Sequence, residues 1–210
     1  MKKTYVTPQD YAMQLFKYKK NVYSQNGEDG IIEHLIEKFN LIEDCFCCEF
    51  GAWDGKHLSN TFNLVENYGW KALMIEGDPK KYKDLIKTSR NFPTQIIPKC
   101  AMVHYLEGRG ERLDDLLNNV KPPHNFDLLS IDVDGPDYHI WKSLERYEPK
   151  IVVIEHSGRA DYIIQREGAI HKKEDDGSTS FEPMKELGES KGYELLVDTG
   201  NLIFVHKSYL

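Results

Sequence analysis

From Cys45 to Glu155 the chain repeats one alternation: a short apolar run, then a segment whose apolar positions recur at helical spacing. Cys45–Phe50, Ala72–Ile75, Gln95–Met102, Leu128–Val133 and Ile151–Glu155 read as strands, and Asn60–Asn67, Lys80–Ser89, Arg112–Asn118 and His139–Arg146 as the helices between them. Strands joined through helices run parallel, and strands this continuously apolar have both faces covered. The expectation is an α/β fold: a Rossmann-like parallel sheet with helices on both faces.

The flanks extend this unit. Thr7-Pro8 opens a helix over Pro8–Lys19, and after a break at Asn21–Asn26 the acids of Gly27-Glu28-Asp29-Gly30 sit in the first turn of a second helix through Phe39. Beyond Glu155, the stretch from Gly158 to Ser180 is polar and aperiodic, as in a mobile functional loop. Phe181–Lys191 then reads as a helix, and Tyr193–Val197 and Leu202–His206 form a hairpin around Asp198-Thr199-Gly200-Asn201. A chain of 210 residues is one domain. Its segments are 1–40 (N-terminal helical), 41–157 (nucleoside-binding core), 158–180 (loop) and 181–210 (helix and hairpin).

Composition excludes several functions. A formal charge of −7 argues against non-specific binding to nucleic acid. The sequence has no run of about 18 apolar residues for a membrane span, and its polar start is unlike a signal peptide, so a cytoplasmic protein is expected. Cys45, Cys47 and Cys48 crowd one strand and Cys100 stands alone on another. That spacing fits neither a zinc site nor a disulfide scaffold and predicts buried, reduced thiols.

The functional signal is Cys48-Glu49-Phe50-Gly51-Ala52-Trp53-Asp54-Gly55, a strand running into a glycine turn, with Glu76 closing the next strand. Backbone open to close approach at Gly51 and Gly55, with a carboxylate about 20 residues on to grip a ribose diol, describes a nucleoside crevice. The turn lacks the Gly-x-Gly-x-x-Gly and Lys-Ser/Thr patterns that hold phosphates, and it carries Glu49 and Asp54, which would repel them. Such a turn suits a nucleoside bearing a sulfonium and an ammonium, which is S-adenosylmethionine.

Taken in order, Tyr23-Ser24-Gln25-Asn26-Gly27-Glu28-Asp29-Gly30, Glu49 to Gly55, Ser59-Asn60-Thr61, Glu66 to Trp70, Ile75-Glu76-Gly77-Asp78, Ile131-Asp132-Val133-Asp134-Gly135 and the hairpin after Gly192-Tyr193 resemble the class I S-adenosylmethionine-dependent methyltransferases, in their FkbM-type branch. The resemblance implies a seven-stranded sheet of order 3-2-1-4-5-7-6 with strand 7 antiparallel, and a cofactor over the carboxyl ends of strands 1, 2 and 4. It implies that Gly51, Ala52, Asp54 and Gly55 pass under the methionine and ribose, that Glu76 takes the ribose hydroxyls, and that Cys100-Ala101 lie by the adenine. Ser59, Asn60, Thr61, Gly77 and Asp78 enter the cofactor set on the same ground, and Gln25, Glu28 and Asp29 as residues closing over the methionine end.

Methyl transfer to a hydroxyl needs alignment and removal of a proton. Asp132 and Asp134 fall at the end of strand 4, and Glu155-His156 at the end of strand 5 beside it. One reading makes these four the ligands of Mg²⁺ or Mn²⁺, which lowers the pKa of the acceptor hydroxyl. A second makes His156 or Asp134 the general base, with Asp132 orienting cofactor or substrate. A third makes the aspartates turn formers and helix caps. His57, Trp53, Tyr138 and His139 are candidates for the acceptor pocket. The expected activity is O-methylation of a small polar acceptor such as a sugar, sugar nucleotide or glycan precursor. The alternatives are a non-catalytic cofactor-binding module or partner subunit, and an NAD-linked oxidoreductase on the same scaffold.

Overall fold

The computed structural model describes residues 13–42, 44–133, 135–157 and 179–210. Asp134 and nearly all of the 158–180 loop therefore lie outside the described residues, as does the part before Met13 of the helix expected over Pro8–Lys19. A 3₁₀ turn lies at Phe16–Tyr18.

Seven strands form one sheet: β1 (Phe46–Phe50), β2 (Lys71–Glu76), β3 (Ile96–Cys100), β4 (Leu128–Ile131), β5 (Ile151–Glu155), β6 (Tyr193–Asp198) and β7 (Asn201–His206). Their order is β3-β2-β1-β4-β5-β7-β6. β1 to β5 pair in parallel, and β7 runs antiparallel to both β5 and β6. Order and the antiparallel strand are as the resemblance implied. Strand and helix ends fall within a few residues of the boundaries read from the sequence.

Among the described residues, three helices cover each face. α1 (Glu28–Phe39), α2 (Phe62–Tyr68) and α3 (Pro79–Ser89) bury Ile31, Ile32, Leu35, Phe62, Val65 and Leu85 against Cys47, Ala72, Met74, Val153 and Ile203. α4 (Leu113–Val120), α5 (Asp137–Ser143) and α6 (Phe181–Ser190) bury Leu116, Leu117, Trp141 and Met184 against Cys48, Phe50, Ile75, Ile131, Ile154 and Phe204. Alternate strand residues thus serve opposite cores, as the two-residue period of a strand requires. Among the described residues, no helix is long and apolar enough to cross a membrane.

All four cysteines are free thiols. Burial pushes the Cys47 and Cys48 thiols far above the usual cysteine range. Cys100 corrects the expectation of buried thiols, because it is exposed at the end of β3.

At the amino ends of the strands, Lys150 is fully buried and pairs with the equally buried Asp127 at 2.8 Å, while Asp127 Oδ2 also accepts from Phe46 N. The pair joins the starts of β1, β4 and β5, opposite the end where the strands open into a cleft.

Candidate active-site cleft

A cavity of about 460 Å³ lies over the carboxyl ends of β1 to β5. Its wall is unequal. Ala101, Met102 and Val103 make the β3 end apolar, whereas Gln25, Glu49, Asp132 and Glu155 make the β1, β4 and β5 end polar. Glu76 and Asp78 stand between, and Lys81 is the one lysine lining it among the described residues.

The turn after β1 is built on backbone proximity. Gly51 has φ +78°, and a Cβ there would lie 1.7 Å from the carbonyl oxygen of Asp132, so β1 and β4 approach this closely only because no side chain intervenes. Ala52 N donates to Ile75 O, and Gly55 N to Ala52 O. Trp53 takes a left-handed φ of +46°, an uncommon setting for a bulky residue. Glu76 holds it there: Oε2 accepts from Trp53 N at 2.8 Å and Oε1 from Asp78 N at 2.7 Å. One carboxylate, 6 % exposed, therefore ties the turn after β1 to the turn after β2 and still keeps lone pairs on the cleft wall.

Glu49 is the buried centre of a second network. Its Oε2 accepts from Ser59 Oγ and Thr61 Oγ1, each at 2.6 Å, and its Oε1 from Asn60 N at 3.0 Å. Asn60 Nδ2 continues to Ser130 Oγ on β4. Burial raises the Glu49 pKa above the usual glutamate value, and these three hydrogen bonds pull against the rise. Ser59, Asn60 and Thr61, expected at the cofactor, instead sit behind Glu49 and hold it. Asp54 likewise stands off the cleft wall, with Oδ1 accepting from Lys56 N and His57 N in an Asx turn.

Ahead of α1, Asp29 Oδ2 accepts from three successive backbone N–H groups, those of Val22, Tyr23 and Ser24, at 2.7 to 2.8 Å. Glu28 accepts from Asn26 N on one oxygen and from Thr199 Oγ1 and Asn201 Nδ2 on the other. Both acids shape a loop, and of the three N-terminal candidates only Gln25 reaches the cleft wall.

The acids at the ends of β4 and β5 divide. Asp132 and Glu155 line the cleft. The His156 side chain, only 6 % exposed, turns to Asp198 at the end of β6, with Nε2 3.1 Å from Oδ1 and its ring edge-on to Phe181. Of the four residues of the metal set, Asp134 lies outside the described residues, and among the described residues no three His, Cys, Asp or Glu side chains are placed to hold an ion. The sequence reading also missed Asp137, whose two oxygens accept from Val133 N and Gly135 N and fix the loop after β4. Its place just before an aromatic helical segment was the available signal. Gly77, Asp78 and Ala101 line the cleft as expected, Cys100 does not, and Met102, Val103 and Lys81 are additions.

The residues present fit the adenosyl cofactor. Glu49 and Glu76, on the cleft wall, are each 6 % exposed, and among the described residues neither has a lysine or arginine ion-pair partner. Carboxylates held only by neutral donors leave negative potential in the cleft, which favours a cation over a phosphate.

Residues 101–195, a little under half of the chain, match the model of the methyltransferase FkbM domain. Among solved structures, the chain is similar to PKMT2 from Rickettsia typhi in complex with AdoHcy (TM-score 0.57, 11% identity, 89% of this chain and 54% of that one). It is also similar to the citrinin polyketide synthase CMeT domain (TM-score 0.55, 15% identity, 95% and 57%) and the CurJ carbon methyltransferase (TM-score 0.55, 11% identity, 94% and 58%). The chain spans little more than half the length of these three, and the likeness is one of fold. A stretch of 102 residues is 29% identical to a glucose-6-phosphate isomerase of Pediococcus pentosaceus, covering 43% of this chain and 22% of that protein. The domain match covers residues 101–195, and the sheet order beneath the cleft is the one that the resemblance to the class I S-adenosylmethionine-dependent methyltransferases, FkbM type, implied.

Proposed function

We propose that the chain binds S-adenosylmethionine in the cleft over β1 to β5 and transfers its methyl group to a hydroxyl of a small polar acceptor, of the sugar, sugar-nucleotide or glycan-precursor class. The observation that carries the cofactor half is Glu76, whose carboxylate is fixed by Trp53 N and Asp78 N with lone pairs left on the cleft wall. A ribose diol offers two hydroxyl donors to such a carboxylate. The apolar end at Ala101, Met102 and Val103 takes the base, and the polar end at Gln25, Glu49, Asp132 and Glu155 takes the charged amino-acid half.

When bound, the cofactor would supply an electrophilic methyl carbon on a sulfonium. The chain must bring an acceptor oxygen in line with that carbon and take its proton. Asp132 and Glu155 are the carboxylates on the cleft wall at the β4 and β5 ends, and we assign them to orienting the hydroxyl and accepting the proton. His156, backed by Asp198, stands one residue beyond Glu155 and is a base only if it turns away from Asp198. The preference for oxygen over carbon rests on these acids and not on the fold, which is shared with carbon methyltransferases.

The test is binding followed by turnover. Calorimetry should show S-adenosylmethionine and S-adenosylhomocysteine binding while NAD does not, and a screen of sugars and nucleotide sugars should release S-adenosylhomocysteine. Binding without release from any acceptor pool would favour the non-catalytic module, and binding of NAD alone would refute the proposal.

A further inference from the structure

A second cavity, also of about 460 Å³, lies between α1, the end of α2 and the 3₁₀ turn at Phe16–Tyr18, and it shares no lining residue with the cleft. One wall is a stripe along α1: Gly30, Glu33, His34 and Glu37 fall three or four residues apart in steps that share one side of the helix. Gly30 lets the 3₁₀ turn lie against that stripe, because a Cβ there would meet the Tyr18 carbonyl oxygen at 2.1 Å. The close approach puts the Tyr18 ring flat on His34, with centroids 3.6 Å apart and planes 7° from parallel.

Two more rings complete the lining. Trp70 is buried at one side, its N donating to Leu64 O, while Tyr68 and Ile42 stand exposed at the other. Charge around these rings is unequal. Glu33 is occupied, with Oε1 accepting from Asn63 Nδ2 at 2.7 Å and Oε2 lying 3.7 Å from Lys20 Nζ. Glu37 is exposed and makes no side-chain hydrogen bond or ion pair among the described residues. Burial and the neighbouring Lys38 push the His34 imidazole below its usual value, so it is neutral at pH 7 and offsets neither acid. One carboxylate is thus in excess beside aromatic faces that are themselves electronegative. Tyr18 already shows the resulting preference, since Lys17 Nζ lies 5.0 Å from its ring centroid. Aromatic faces and a carboxylate attract the same partner, a cation with an apolar body. A neutral hydrophobe gains nothing from Glu37, and an anion is repelled by it.

We infer that this cavity is a second binding site, for a small organic cation whose apolar body lies among Tyr18, Tyr68 and Trp70 and whose ammonium is held by Glu37. Its volume falls in the range of small-molecule sites, about 300–1,000 Å³. The site is separate from the adenosyl cleft and does not depend on what that cleft holds.

The test is calorimetry on the full chain with three probes of similar size: phenethylammonium, the neutral phenethyl alcohol and the anionic hydrocinnamate. The cation should bind about tenfold tighter than the alcohol, and the anion should not bind measurably. Glu37→Gln should bring the cation to within about twofold of the alcohol and leave the alcohol unchanged, whereas Tyr68→Ala should weaken both by about threefold. Both side chains are exposed, so the fold does not depend on them. The cleft also carries carboxylates, and Glu76→Gln is the control for it: the cation affinity should stay within about twofold of wild type. No binding of the cation, equal affinity for cation and alcohol, or a loss in Glu76→Gln without one in Glu37→Gln would each overturn the second site.

Discussion

Glu76 carries the cofactor reading, and its removal has two separable consequences. Glu76→Ala deletes the acceptor for ribose hydroxyls and frees the N–H groups of Trp53 and Asp78. Each charge-assisted hydrogen bond contributes about 1.5–3 kcal/mol, so losing one to the ligand raises the Kd about 10- to 150-fold. The two N–H groups fare better, since Trp53 and Asp78 are exposed and water replaces the lost acceptor. The stability cost is then about 1 kcal/mol, or roughly 2–4 °C in Tm for a chain of this size. Glu76→Gln sharpens the test, because one amide oxygen can serve only one of the two N–H groups while the amide NH₂ faces the other, donor against donor. Titration of S-adenosylhomocysteine into each variant, beside a thermal melt, reads both effects. An affinity within twofold of wild type, with the melt lowered as expected, would remove Glu76 from the ribose and refute the reasoning.

Three further outcomes are expected. Glu49, raised above its ordinary value of 4.5 chiefly by burial, holds its proton in the folded state over a window where the unfolded chain has released it, so its contribution to stability is present below that window and lost as pH rises through it. Glu49→Gln should flatten the fall in Tm across that range, and wild type should release a proton on binding the cationic cofactor there, seen as a calorimetric enthalpy that varies with buffer in wild type only. Gly51→Ala should cost well over the 1–2 kcal/mol of left-handed strain alone, since its Cβ meets backbone at 1.7 Å, whereas Gly69→Ala, with φ +71° and nothing within 4 Å, should cost only that strain; paired urea melts separate the two. Turnover, once an acceptor is found, should persist in EDTA, because His156 is paired with Asp198 and not gathered with Asp132 and Glu155; loss restored by Mg²⁺ or Mn²⁺ would show that these side chains rearrange.

The fold was legible because its evidence is periodic. Five apolar runs alternating with amphipathic segments admit little but a parallel sheet covered on both faces, and the Asp-Thr-Gly-Asn turn forces the last strand to return antiparallel. The individual roles of the acids were not legible, and the reason is physical. An acid beside a glycine turn reads the same whether its oxygens face a ligand or a neighbouring N–H. Asp54, Glu28 and Asp29 face N–H groups, whereas Glu76 faces N–H groups and the cleft at once. What separates them is the partner, and for Glu28 that partner stands at Thr199, where no local pattern points.

The same reasoning explains why the pair of strand-end motifs misled. Asp132 and Glu155 share the cleft, but His156 follows Glu155 directly, and neighbours in extended chain point to opposite sides. Glu155 taking the cleft wall therefore sends His156 toward the hairpin, where Asp198 Oδ1 is already shaped by Gly200 N to receive it. A metal set that needs both residues on one side asks the strand for what its geometry denies. A base that needs Glu155 alone, with Asp132 across the β4–β5 gap, asks nothing of the backbone that it does not already provide.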